Sequence, residues 1–327
     1  MTNQTTRLGT GIEVSRIVLG CMGMSGMYGD ADEAESIATI HAALERGITL
    51  LDTGDFYGTG RNELLIGRAL RDRRHRALVS VKFGVLRTPD GSFNGVDCRP
   101  ATVKNALAHT LTRLGVDHVD IYRPSRLDPS VPIEDTIGAI ADLVKAGYVR
   151  AIGLSEVGPD TIRRAQAVHP ISDLQIEYSL ISRGPEARIF PLLAELGIAV
   201  TAYGVLSRGL LAGSRPSGPG DFRSHLPRFT GDNRERNQRL IAALAQLAAA
   251  RGVRPAQLAI AWVLAKRHAI VPVIGARTRV QLDDALGALA IELSPAEVAA
   301  LEQAVPAAEV AGERYTPVQM QHLDSER

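Results

Sequence analysis

Two cysteines, Cys21 and Cys98, in 327 residues can form neither a disulfide framework nor a zinc cluster. A formal net charge of +1 offers no electrostatic case for nucleic acid or an anionic membrane surface. No apolar run approaches the ~18 residues that a membrane span needs. The opening MTNQTTRLGTG lacks the apolar centre of a signal peptide. These absences predict a cytoplasmic protein with neither nucleic-acid nor membrane partners; oligomeric state is open. With 45% hydrophobic residues, the chain can bury a large core.

What is present is an alternation. Short, nearly continuous apolar runs lie at Ile17–Leu19, Ile48–Leu51, Leu78–Val81, Val119–Tyr122, Val149–Leu154, Leu174–Ile176, Ile198–Ala202 and Ile270–Ile274. Such runs suit strands buried on both faces. Helical patterns separate them, several followed by glycine, as at Gly115 and Gly197, where a C-terminal cap can take left-handed dihedrals. Eight such units predict a (β/α)₈ TIM barrel in a single domain over 1–327, with its core at about 8–289. An open dinucleotide-binding sheet should carry G-x-G-x-x-G after its first strand; here that strand runs into Gly20-Cys-Met-Gly-Met. Surplus segments are a hairpin at Thr6–Ser15 that would plug the bottom, a long loop at Gly204–Asn233, and extra helices at Asn237–Ala250 and Ser294–Val305. Residues 306–327 read as a polar tail of undetermined order.

Barrel chemistry sits at the C-terminal ends of the strands. Asp52 closes the second strand, Tyr57 follows in its loop, and Lys82 closes the third. A phenol, with an ordinary pKa of about 10, is a weak acid at neutral pH. A nearby ammonium favours the phenolate, and a carboxylate keeps that ammonium charged in a dry site. The three together can deliver a proton to a carbonyl oxygen. The competing interpretation is a structural Asp52–Lys82 ion pair beside a rim aromatic.

Several segments carry a family resemblance: Leu51-Asp-Thr-Gly-Asp-Phe-Tyr57, Val79-Ser-Val-Lys82, Gly147-Tyr-Val-Arg-Ala-Ile-Gly-Leu-Ser155, Gln175-Ile-Glu-Tyr178 and Ala202-Tyr-Gly204. In their order and over roughly Leu8–Leu289, the chain resembles the aldo-keto reductases, including the branch of potassium-channel β-subunits and bacterial reductases. The resemblance implies NADPH as cofactor and a small-molecule aldehyde or ketone as substrate. It makes Tyr57 the proton donor, Lys82 its partner and Asp52 the counter-ion. Ser155 and Gln175 would hold the nicotinamide carboxamide, and Tyr203 would stack on the ring. Gly204, Leu206, Ser207 and Arg208 would run along the pyrophosphate. Gly275, Arg277, Arg279, Gln281 and Asp284 would surround the adenosine 2′-phosphate end, with Gly23 and Met24 also on the cofactor side. Two arginines at a helix start suit a dianion.

The chain departs from the family where a histidine is expected after the fourth barrel strand. The segment reads Asp120-Ile-Tyr-Arg-Pro-Ser125, so Ser125 holds that place. Losing one donor to a carbonyl oxygen can cost about 10²–10³ in rate. Ser125 could donate instead, Arg123 could reach into the vacancy, or the site could be weak and the chain a regulatory NADPH binder. Glu156, where many relatives have asparagine, could accept a carboxamide hydrogen bond or pair with Arg123. On the substrate side, Met22, Met24 and Met27 with Tyr28 predict an adaptable apolar pocket, joined by Phe83.

Overall fold

All eight apolar runs are strands, and they pair side by side into one closed parallel barrel. The computed structural model describes residues 5–216, 218, 221–266 and 269–327. In chain order the strands are β1 (Thr5–Arg7), β2 (Glu13–Ser15), β3 (Val18–Gly20), β4 (Leu50–Gly54), β5 (Leu78–Phe83), β6 (Val85–Arg87), β7 (Phe93–Val96), β8 (Val119–Pro124), β9 (Val149–Ser155), β10 (Ile171–Glu177), β11 (Ala199–Tyr203) and β12 (Ile270–Gly275). The barrel runs β3-β4-β5-β8-β9-β10-β11-β12 and closes on β3. Each barrel strand therefore neighbours its predecessor, as right-handed βα crossovers require.

The expected hairpin forms from β1 and β2 and does plug the bottom. The Gly9 amide donates to the Ser172 carbonyl at 2.8 Å. A Cβ at Gly9 would lie 2.4 Å from the Gly197 carbonyl oxygen, so only glycine permits this approach. Above the plug, Leu8, Val14, Val18, Leu50, Ile121 and Val271 fill the barrel interior. A larger cluster packs the outer faces of the strands against the helices. A second hairpin, β6 with β7, was not expected: its runs are too short and too exposed to carry a period.

The barrel interior is not wholly apolar. Arg123 on β8 donates to both carboxylate oxygens of Asp173 on β10, at 2.7 and 3.3 Å, and both side chains are fully buried. Arg123 also donates to Ser80 Oγ at 3.0 Å. Its inward position on the strand thus sends the guanidinium into the barrel, where an uncompensated charge would be costly. The expectation that Arg123 reaches the substrate is corrected here.

The helices include α1 (Glu33–Glu45), α2 (Arg61–Leu70), α3 (Pro100–Leu114), α4 (Ile133–Lys145), α5 (Pro159–Val168), α6 (Pro185–Leu196), α7 (Gly231–Ala250), α8 (Pro255–Leu264), α9 (Arg279–Leu286), α10 (Pro295–Ala304) and α11 (Pro317–Met320). Proline opens six of them, at positions whose missing N–H costs nothing. Gly115 and Gly197 cap α3 and α6 in the left-handed region. Helix α7 begins six residues before the expected Asn237, because a charged first turn, Asp232–Arg236, hides its period. Positions 217, 219 and 220 of the expected long loop lie outside the described residues. No helix among the described residues is long and apolar enough to cross a membrane.

The tail folds back across the barrel mouth. Arg314 donates to both oxygens of Glu156, at 2.8 and 2.6 Å, and to Glu326 at 2.6 Å. Ser325 Oγ donates to Glu156 at 2.6 Å, and Leu323 is buried. Glu156 sits at φ 53°, a conformation that costs a non-glycine residue about 1–3 kcal/mol. Burial alone would raise its carboxyl, but the Arg314 guanidinium, joined by Arg126 and the Ser325 hydroxyl, holds it well below the usual carboxylate range. Such a depressed group contributes stability in full above its unfolded value near 4.5 and loses it as pH falls. Arg314→Met should cost the docked tail roughly 3–5 kcal/mol, read as rapid proteolytic cleavage beyond Pro306 at pH 7. In the unsubstituted chain the same cleavage should appear only on acidification. Equal cleavage of the two proteins at pH 7 would contradict this role.

Candidate active site

Asp52, Lys82 and Gln175 form a closed ring of hydrogen bonds at the C-terminal end of the barrel. Lys82 Nζ donates to Asp52 Oδ1 at 2.5 Å and to Gln175 Oε1 at 2.9 Å. Gln175 Nε2 donates to Asp52 Oδ2 at 2.8 Å, and Ser80 Oγ reaches the same oxygen at 3.2 Å. The pairing of Gly54 with Lys82 between β4 and β5 sets this geometry. Burial pulls the Lys82 amine below its ordinary pKa, while Asp52 opposes that pull.

Tyr57 stands over this ring. The chain leaves β4 through Gly54, where a Cβ would come within 3.2 Å of the Phe56 ring and 3.4 Å of the Tyr57 ring. The Phe56 and Tyr57 rings then meet edge to face, 4.8 Å apart. Lys82 Nζ lies 5.3 Å from the centre of the Tyr57 ring. Burial pushes the phenol well above 10, with Asp52, Tyr28 and Tyr315 adding to the effect and Arg126 opposing it. The expected acidification of the phenol by Lys82 is thus outweighed by burial, and the ammonium gives its hydrogen bonds to Asp52 and Gln175. Tyr57 holds its proton throughout the neutral range.

These groups line one end of a cavity of about 430 Å³. The same walls include the expected Gly23, Met27, Tyr28, Ser155, Tyr203, Gly204, Leu206 and Arg208, and also Gly275, Arg277, Gln281 and Asp284. Arg208 donates to Glu177 Oε2 at 3.0 Å. Arg277 Nη1 donates to the carbonyls of Tyr28 and Asp30, at 3.0 and 3.2 Å, and among the described residues no carboxylate pairs with it. The Tyr203 hydroxyl donates to Glu156 at 2.6 Å and lies 2.9 Å from the Tyr315 hydroxyl.

Other expected residues stand apart. Arg279 forms a two-pronged pair with Glu35 on α1, at 3.2 and 2.9 Å, and faces solvent rather than the cavity. Met24 and Phe83 are core residues, Phe83 stacking on Tyr122 at 4.3 Å. Ser207 is buried as a partner of Arg228, at 3.4 Å. The Ser125 hydroxyl is buried with no hydrogen-bond partner and is not among the cavity walls. Glu156 pairs with Arg314 rather than Arg123. Burial pushes the Cys21 thiol up, leaving it protonated. Among the described residues no cluster of metal-ligating side chains occurs.

Several cavity residues escaped the sequence reading, among them Phe56, Arg223, Arg126 and Tyr315. Arg126 lies just beyond β8, at the rim, where strand parity no longer predicts side-chain direction. Its place past a barrel strand's C-terminal end was the available signal. Tyr315 comes from the aperiodic tail, which carries no signal linking it to the mouth.

The family model for the aldo/keto reductase family matches residues 16–306. A probable aldo-keto reductase 1 from Glycine max is 42% identical over 322 residues, covering 95% of this chain and 92% of the relative. Among solved structures, the glycerol dehydrogenase AKR11B4 from Gluconobacter oxydans superposes with a TM-score of 0.84 at 29% identity, covering 93% and 95% of the two chains. An aldo-keto reductase from Klebsiella pneumoniae in complex with NADPH gives 0.74 at 26% identity, covering 94% and 96%. The chain belongs to the aldo/keto reductase family.

Proposed function

We propose that this chain reduces an aldehyde or ketone to the alcohol with NADPH, Tyr57 delivering the proton. One observation carries the reading. A protonated phenol, a buried Lys82–Asp52–Gln175 ring and an uncompensated Arg277 all face one cavity. NADPH, bound in a structural relative from Klebsiella pneumoniae, would when bound here provide the hydride for the reduction.

The residues present fit that cofactor. Arg277, bonded only to backbone carbonyls, keeps its charge for a phosphate. Gly275 and Gly23 leave room along the wall, since a Cβ at Gly23 would meet the Arg277 side chain at 3.3 Å. Ser155 and Gln175 offer a hydroxyl and an amide beside Lys82 for a carboxamide, and the Tyr203 ring is held by its hydroxyl bond to Glu156. Of the two arginines expected at the 2′-phosphate, only Arg277 faces the cavity.

The protein's own steps follow from burial. Burial keeps the Tyr57 phenol neutral, so it can donate as negative charge builds on the substrate oxygen. Lys82, with Nζ 5.3 Å from the Tyr57 ring centre, supplies positive charge beside the phenol as it gives up its proton. Asp52 and Gln175 hold the amine in place and oppose its neutralisation by burial.

Tyr57→Phe should lower kcat by about 10²–10⁴ while NADPH affinity changes little, as read by quenching of cofactor fluorescence; unchanged turnover would remove Tyr57 from its role. Ser125→His should raise turnover of simple aldehydes, by up to about 10², if the missing donor limits the rate. No change or a loss would show that the pocket relies on another donor. Tight NADPH binding without oxidation by aromatic aldehydes over hours would make the chain a cofactor sensor instead.

A further inference from the structure

Resting on that reading, the substrate's charge can be inferred from the cavity's own charges. Four other cations line the cavity. Lys82 is matched by Asp52, Arg208 by Glu177, and Arg223 by Asp221. Arg277 is bonded to backbone carbonyls on the β12 side of the mouth. Arg126 rises beyond β8, which lies four strands from β12 in the eight-stranded ring and therefore directly across the mouth.

Arg126 has no carboxylate within ion-pair distance among the described residues. Its Nη1 donates to the Ser125 carbonyl at 2.6 Å, and its Nη2 lies 3.5 Å from the Tyr315 hydroxyl. The Tyr315 ring sits 5.8 Å from the guanidinium carbon and props it from the tail side. A guanidinium carries five N–H donors in a planar fork, so most of this fork is left to the cavity. It lines the same cavity as Tyr57 and Lys82, and its charge acts on both groups. The carboxylate whose field favours its charge, Glu156, is itself held by Arg314 and makes no hydrogen bond to Arg126, so the fork remains open to an anion in the cavity. A carboxylate matches the fork with two parallel hydrogen bonds, as a neutral group cannot.

We propose that Arg126 is a specificity-determining residue that anchors a carboxylate on the substrate, so that the preferred substrates are carbonyl compounds bearing an acid group. Tyr315 is a positioning residue for this contact, because its hydroxyl also fixes Tyr203 at 2.9 Å. No covalent step is added: the carboxylate only holds the substrate while its carbonyl is reduced.

The test uses the full chain with NADPH and three matched pairs, the ortho, meta and para carboxybenzaldehydes and their methyl esters. At least one acid should exceed its ester in kcat/KM by about tenfold or more, chiefly through KM. Arg126→Gln should remove about 10–100-fold from that acid, with a much smaller loss on the ester, and Arg126→Lys should retain part of the preference. Similar rates for acid and ester in all three pairs would overturn the proposal. So would equal losses in Arg126→Gln, which would make the guanidinium a donor to the carbonyl oxygen itself. A parallel calorimetric titration of the NADPH complex with isophthalate and with its dimethyl ester needs no turnover. Binding of the dianion alone, lost in Arg126→Gln, supports the anchor even if no aldehyde is reduced. Reduction of neutral aldehydes with no isophthalate binding leaves the reductase standing and the anchor refuted.

Discussion

An amine sealed into a barrel mouth must find a carboxylate or surrender its proton. Lys82 meets that constraint through Asp52, and the rest of the site is arranged around the pair. Burial pulls the amine toward neutrality and Asp52 opposes it; Gln175 then bridges both partners. Asp52 leads further inward, through Ser80 to Arg123 and from there to Asp173. A line of alternating charge therefore runs from the cavity floor into the barrel interior. Each charge meets its opposite in the next member, although the Arg123 Nε has no partner among the described residues.

A second charged layer lies above the first. Glu156 and Glu177, at and just beyond the ends of β9 and β10, are fully buried and held by Arg314, Arg208 and Arg228. These arginines come from the tail and from the stretch between β11 and α7, the two segments that cover the mouth. The same carboxylate that receives Arg314 also receives the Tyr203 hydroxyl. Docking of the tail and placement of the Tyr203 ring are thus one event, and the strained φ of Glu156 is carried by the bonds that join them.

Much of this was legible beforehand because it follows from period and position. The barrel strands are apolar enough to leave no alternative, and residues at their ends must share a mouth; hence Asp52, Tyr57, Lys82, Ser155, Gln175 and Tyr203 meet as expected. The acidity of Tyr57 was not legible, since it is set first by the burial of the phenol and then by Asp52, Tyr28 and Tyr315, the last two reaching it from distant stretches of the chain. Arg123 was placed by strand parity, correctly inward, but Asp173 waits inside the barrel rather than the substrate. Arg279 found Glu35, a partner on another helix that no local pattern reveals. The tail has no periodicity, so its contribution of Arg314 and Tyr315 is visible only in three dimensions. Arg126 lies two residues past the end of β8, where strand parity no longer predicts which way a side chain points.

The account rests on Tyr57 acting as an acid that keeps its proton at neutral pH. The pH dependence of kcat/KM for carbonyl reduction tests this most directly. A plateau through neutrality, falling only near or above about pH 10 as donors lose their protons, is the expected profile. A rate that climbs with pH across the neutral range would require a group that must first lose a proton, and would contradict the account.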